Sequence, residues 1–141
     1  NDDKVVISKV NLFKVGTVQD LEANKSIVFD IPESAGWKGR GDEIAIFKYK
    51  NTIYAIENRC PHQGGPLNMG DIEDLPNSCS KSDKENQELK PAIVCPWHGW
   101  SFFLDSGGCT MIEGLELPVF KVQTKNDDIY VEIPSEVEVD F

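Results

Sequence analysis

Cys60-Pro61-His62-Gln63-Gly64-Gly65-Pro66-Leu67 and Cys95-Pro96-Trp97-His98-Gly99-Trp100-Ser101-Phe102 are the two stretches around which this chain is organised. Each supplies one thiol and one imidazole from a short loop stiffened by proline. The chain has only two histidines, and both are here. That concentration is hard to attribute to packing. Equivalent side chains on two loops can grip one object from opposite sides, so the pattern reads as a metal centre rather than a disulfide.

Two centres fit two Cys and two His. One is a tetrahedral structural zinc, for which this ligand set is ordinary. The other is a [2Fe-2S] cluster with two Cys on one iron and two His on the other. Zinc sites usually pair Cys with Cys and His with His at close spacing, whereas each loop here pairs Cys with His, which favours the cluster. Gly64, Gly65 and Gly99 flank the ligands and let backbone approach closely, so that neighbouring N–H groups can point at bridging sulfides.

Cys60-x-His62 and Cys95-x-x-His98, set within CPHQGGPL and CPWHGWSF, resemble the two ligand boxes of Rieske-type iron–sulfur proteins. The resemblance extends over most of the chain and is nearest to the soluble Rieske-type [2Fe-2S] ferredoxins. It implies one [2Fe-2S] cluster, with Cys60 and Cys95 on the inner iron and His62 and His98 on the outer one. Gly64, Gly65, Trp97, Gly99 and Trp100 would surround it. It also implies an all-β fold: an antiparallel sandwich or barrel base domain, about 1–57 and 115–141, carrying an inserted cluster-binding subdomain, about 58–114.

The length of 141 residues suits one domain with a core of ordinary size. No apolar run approaches the ~20 residues that span a bilayer, and no signal-peptide pattern is present. A soluble, intracellular, cytoplasmic monomer is the expectation; the first residue, Asn1, leaves room for a trimmed targeting peptide. The net charge of −10 makes nucleic acid a poor partner and keeps the protein soluble; it also suits an acidic face toward a basic redox partner. Cys79 and Cys109 are expected as thiols in a reducing compartment. High-potential relatives carry an extra Cys in each box, joined across the cluster; Gly65 and Trp97 stand at those positions, so that clamp is absent.

Along the chain, Lys4–Val15 reads as one broken strand or two short ones, and Ser26–Ile31 as a strand closed by Pro32. Residues 34–41 read as a Gly-rich loop with Trp37 as a lid on the core. Glu43–Tyr49 and Thr52–Ile56 form a hairpin about Lys50-Asn51. Turn signals recur about every ten residues, as in antiparallel all-β domains. Residues 71–91 are polar and of mixed charge, and read as a surface excursion unable to fold alone, with a docking element as the functional alternative. Ala92–Val94, Trp100–Leu104 and Cys109–Ile112 read as strands of the inserted subdomain. Leu117–Val122 re-enters the base domain, Ile129–Ile133 is the last strand, and Pro134–Phe141 reads as a frayed tail.

Two neutral imidazoles in place of two thiolates raise a cluster's potential, and hydroxyl donors to sulfur raise it further. High-potential relatives place a Ser two residues after the second His and a Tyr four residues after it; this chain has Trp100 and Phe102. The neighbouring Ser101 should face the other side of an extended segment. The expected potential is therefore near the low end of the range, about −150 mV. No dinucleotide fingerprint is present, and no His remains to build the mononuclear iron of an oxygenase. The expectation is a one-electron carrier, not an enzyme, between a reductase and an acceptor such as an oxygenase. The alternatives are an electron-transfer domain or small subunit of a larger oxygenase or nitrite-reductase-type complex, and a structural zinc module.

Overall fold

The computed structural model describes residues 4–37, 39, 41–61, 64–76, 88–97 and 99–140, with the side chains at 4–8 and 136–140 excepted. His62, Gln63, His98 and Cys79 lie outside the described residues.

Among the described residues, ten strands and one short α-helix follow in order: β1 Lys4–Thr17, α1 Val18–Ala23, β2 Ile27–Asp30, β3 Glu43–Tyr49, β4 Thr52–Glu57, β5 Asp71–Pro76, β6 Leu89–Val94, β7 Ser101–Phe103, β8 Val119–Phe120, β9 Val122–Lys125 and β10 Asp128–Asp140. They make three antiparallel sheets, ordered β1-β10-β9, β2-β3-β4-β8 and β5-β6-β7. No helix among the described residues is long and apolar enough to cross a membrane.

The four-stranded sheet is the middle layer, and β3 explains why. Ile44 and Ile46 face a core shared with Ile129, Val131 and Ile133 of β10. Ala45 and Phe47, the alternate residues, face a second core with Ile93, Phe102, Leu104 and both ligand-loop cysteines. A strand covered on both faces is apolar without alternation, which is why Glu43–Tyr49 alternates only loosely. Its hairpin with β4 turns at Lys50 and Asn51, both with positive φ (48° and 69°), the backbone that a tight two-residue turn demands. Trp37 caps the other core from its loop, with its ring centroid 4.9 Å from that of Phe120.

Several expectations need correction. The segment 71–91 is not an excursion throughout: 71–76 is β5, paired from Asp71↔Val94 to Pro76↔Leu89 with β6. It needs no core of its own because Ile72 packs on the cysteine-bearing core and β6 supplies its ladder. Residues 77–87 lie outside the described residues. The tail is not frayed up to Asp140, since β10 runs that far, paired with β1 as far as Lys4↔Asp140. The first strand is continuous, with one irregularity at Lys14/Gly16. Cys109–Ile112 is no strand; it contributes a single bridge, Phe102↔Cys109. Finally, Val18–Ala23 is a short helix, α1, between the first two strands. Its signal was Thr17-x-x-Asp20: the Thr17 hydroxyl accepts from the Asp20 N–H (3.2 Å) and the Asp20 carboxylate accepts from the Thr17 N–H (3.0 Å), a reciprocal cap.

Candidate metal centre

The two ligand loops share one backbone pattern. In the first, the Gly64 N–H donates to the Cys60 carbonyl (2.7 Å) and the Cys60 N–H donates to the Gly65 carbonyl (2.9 Å). In the second, the Gly99 N–H donates to the Cys95 carbonyl (3.1 Å) and the Cys95 N–H donates to the Trp100 carbonyl (2.6 Å). The glycine four residues after each Cys has a left-handed backbone, φ 77° at Gly64 and 71° at Gly99. Only glycine adopts that conformation without cost. The Gly64 and Gly99 amides are thus spent on closing their own loops rather than on a ligand.

Both cysteines are buried at 2% exposure, in the same apolar cluster, which also holds Leu67 and Phe102, with Trp100 packed against it. The first loop lies directly on the second: a β-carbon built on Gly65 would fall 2.7 Å from Cys95 Sγ. Cys60, Cys95 and Cys109 are all outside disulfides. Two buried thiols on abutting loops suit thiolate ligation of a soft metal centre. Among the described residues no group of three ligating side chains is found; the two histidines are outside them.

Side chains that the sequence did not point to hold the first loop. Asn58 is nearly buried. Its amide donates to the Glu43 carboxylate (3.2 Å) and to Asn68 Oδ1 (3.0 Å), and its Oδ1 accepts from the Asn68 N–H (2.7 Å). It therefore ties the start of the loop to its end. Lys25 reaches the Met69 carbonyl (3.4 Å) and Asp71 (3.2 Å). A buried Asn beside a ligand box is the one signal that could have drawn attention to this clamp.

Downstream of the second loop, Ser101 is buried with its hydroxyl on that of Thr110. Phe102 is fully buried among the core residues. Trp97 is 56% exposed and belongs to neither core.

Comparison with known proteins gives the family. The model of the Rieske [2Fe-2S] domain matches residues 11–121, and the chain belongs to that family. Its cofactor is a [2Fe-2S] cluster held through two Cys and two His ligands. The Rieske domain-containing protein of Homo sapiens is 31% identical over 111 residues, covering 67% of this chain and 62% of that protein. The chain thus matches less than two thirds of that relative's length. The 3-phenylpropionate/cinnamic acid dioxygenase ferredoxin subunit of Shigella boydii is 26% identical over 109 residues, 76% of this chain and 89% of that one. The fold is that of the solved NADH-dependent nitrite reductase small subunit of Mycobacterium tuberculosis, with a TM-score of 0.68 at 16% identity, over 88% of this chain and 96% of that one.

Proposed function

We propose that this protein is a one-electron carrier in which Cys60 and Cys95 hold the inner iron of the family's cluster and His62 and His98 the outer one. The observation that carries the reading is the pair of matched loops, each presenting a buried cysteine from the same backbone bracket. When bound, the cluster supplies reversible one-electron redox chemistry. The chain's own residues position and insulate it. Cys60 and Cys95 anchor it from the apolar core, where Leu67 and Phe102 keep water from the sulfurs. Trp97 is exposed beside Cys95, and in this reading the two histidines form the side from which an electron would leave. The division into a base domain, about 1–57 and 115–141, and a cluster-bearing subdomain, about 58–114, belongs to this reading, as do a reductase donor and an oxygenase-type acceptor. The similarity to a dioxygenase ferredoxin subunit supports that choice of partners.

A low potential is part of the proposal. Phe102 and Trp100 line the cysteine-bearing core without offering a hydroxyl, and the Ser101 hydroxyl is engaged by Thr110. Fewer donors to sulfur leave the reduced cluster less stabilised.

The test is an EPR-monitored redox titration of the purified protein. A Rieske-type signal that appears on reduction near about −150 mV supports the carrier and its potential. A signal already present at positive potentials overturns the reading of positions 100 and 102. Iron-free protein, silent at every potential, overturns the ligand assignment. A large subunit that co-purifies stably would make the chain a subunit rather than a diffusing carrier. Phe102→Tyr should move the midpoint upward, and an unchanged midpoint would count against the hydroxyl argument.

A further inference from the structure

Gly65 occupies the point of closest approach between the two loops. A β-carbon there would lie 2.7 Å from Cys95 Sγ and 3.3 Å from both Cγ and Cδ2 of the Trp97 indole. The first distance is shorter than packed carbon and sulfur tolerate. Gly65 is not among the glycines with positive φ, so space rather than backbone conformation demands glycine. Its carbonyl also closes the loop around Cys60. One residue therefore bounds the first cysteine's loop through hydrogen bonding and, by lacking a β-carbon, leaves room for the second cysteine's sulfur.

Trp97 supplies the other half. It sits in neither core, and its indole rests across the gap on Gly65 with more than half of the residue open to solvent. An aromatic side chain on an exposed turn gains burial only from what it covers, and here that is the opposite loop.

We propose that Trp97 seated on Gly65 is an interlock that sets the spacing of the two ligand loops and covers the approach to the Cys95 sulfur. Both are positioning residues, and neither is a ligand. The inference rests on reading the two loops as halves of one metal centre. Gly99 is the internal contrast: it has a left-handed backbone but nothing within 4 Å of where its β-carbon would be. Glycine is needed at 99 for conformation and at 65 for contact.

The test compares the full-length, iron-loaded protein with Trp97→Phe, Trp97→Ala, Gly65→Ala and Gly99→Asn. It follows bleaching of the visible absorbance during reductive challenge with ferrozine, alongside the EPR line shape and far-UV circular dichroism. Trp97→Ala should keep the fold yet lose iron about tenfold faster, the low end for a residue that supports metal ligands. Trp97→Phe, which retains a ring over Gly65, should restore most of the resistance. Gly65→Ala should alter the EPR line shape, because the Cys95 sulfur has to shift. Gly99→Asn should disturb the EPR line shape less than Gly65→Ala does, since Asn tolerates a left-handed backbone and its β-carbon would meet nothing within 4 Å. Should Gly65→Ala fail to fold, the Trp97 pair decides alone. Wild-type iron retention in Trp97→Ala, with the cluster present, would overturn the interlock and leave the carrier standing. A wild-type protein without iron would overturn the metal centre itself, and the interlock with it.

Discussion

The two ligand loops have the same backbone bracket but are held by different means. The second is the tip of a hairpin: β6 and β7 enter and leave it already paired, with Val94↔Ser101 as the last rung. Strand pairing closes it, so it needs no side-chain clamp. The first leaves β4 in the middle sheet and arrives at β5 in another sheet. No ladder joins its ends. Asn58 does that work by bonding across the loop base, while Lys25 tethers only the loop's exit at Met69. A loop between paired strands inherits its closure, whereas a loop between sheets must be tied by side chains, and the tie is a buried polar group with every partner in place.

The largest expected effect tests what the loops share. Cys60→Ala and Cys95→Ala should each abolish the iron–sulfur chromophore, read by visible absorbance and iron content. Retention of the cluster in either would break the equivalence. Next, Asn58→Ala removes the first loop's tie and leaves the half-buried Asn68 N–H without its acceptor. It should cost about 1–3 kcal/mol of stability in urea unfolding. Amide exchange should quicken at Cys60 and Gly64 and stay unchanged at Cys95 and Gly99; equal acceleration in both loops would erase the distinction. Gly99→Ala should cost about 1–2 kcal/mol through its left-handed backbone alone, and Gly99→Asn less, measured by the same unfolding.

The smallest effect concerns a tie outside the loops. Asp74 on β5 accepts from Lys50 Nζ (2.6 Å) and the Tyr49 hydroxyl (3.0 Å), which joins the cluster-side sheet to the middle sheet. The Lys50 ammonium and then the Tyr49 hydroxyl hold the Asp74 carboxyl below its ordinary value of 3.8. The Asp74 carboxylate in turn holds Lys50 above 10.5. A depressed carboxyl stabilises the fold above its unfolded value, and that contribution is lost as pH falls through its lower folded value; the raised amine contributes below 10.5 and loses its share as pH rises through its higher folded value. The stability gap between wild type and Asp74→Asn should therefore be small, present at neutral pH and closed in strong acid. The pair is solvent-exposed, so salt should shrink it too. A gap that grows on acidification would refute this account.

Much of the fold was legible because its signals are local. The Lys50-Asn51 turn, the hairpin it closes, and the loops around Cys60 and Cys95 all follow from residues close in the chain. The errors fell where long-range pairing overrides composition. Asp71–Pro76 looks like polar excursion until β6 is laid beside it, and Pro134–Asp140 looks like a tail until β1 is. The Thr17–Asp20 cap is a local signal of the same kind.

The sequence by itself determined the chemistry. Two Cys-and-His boxes that hold both histidines of the chain already resemble a metal-binding signature, because residue type and spacing are covalent facts. Only the tertiary structure decided how the boxes meet. That Asn58 ties one loop, that strand pairing closes the other, and that Trp97 rests on Gly65 depend on three sheets stacked across a strand buried on both faces. Contacts between residues far apart in the chain are chosen by packing and not by any local preference.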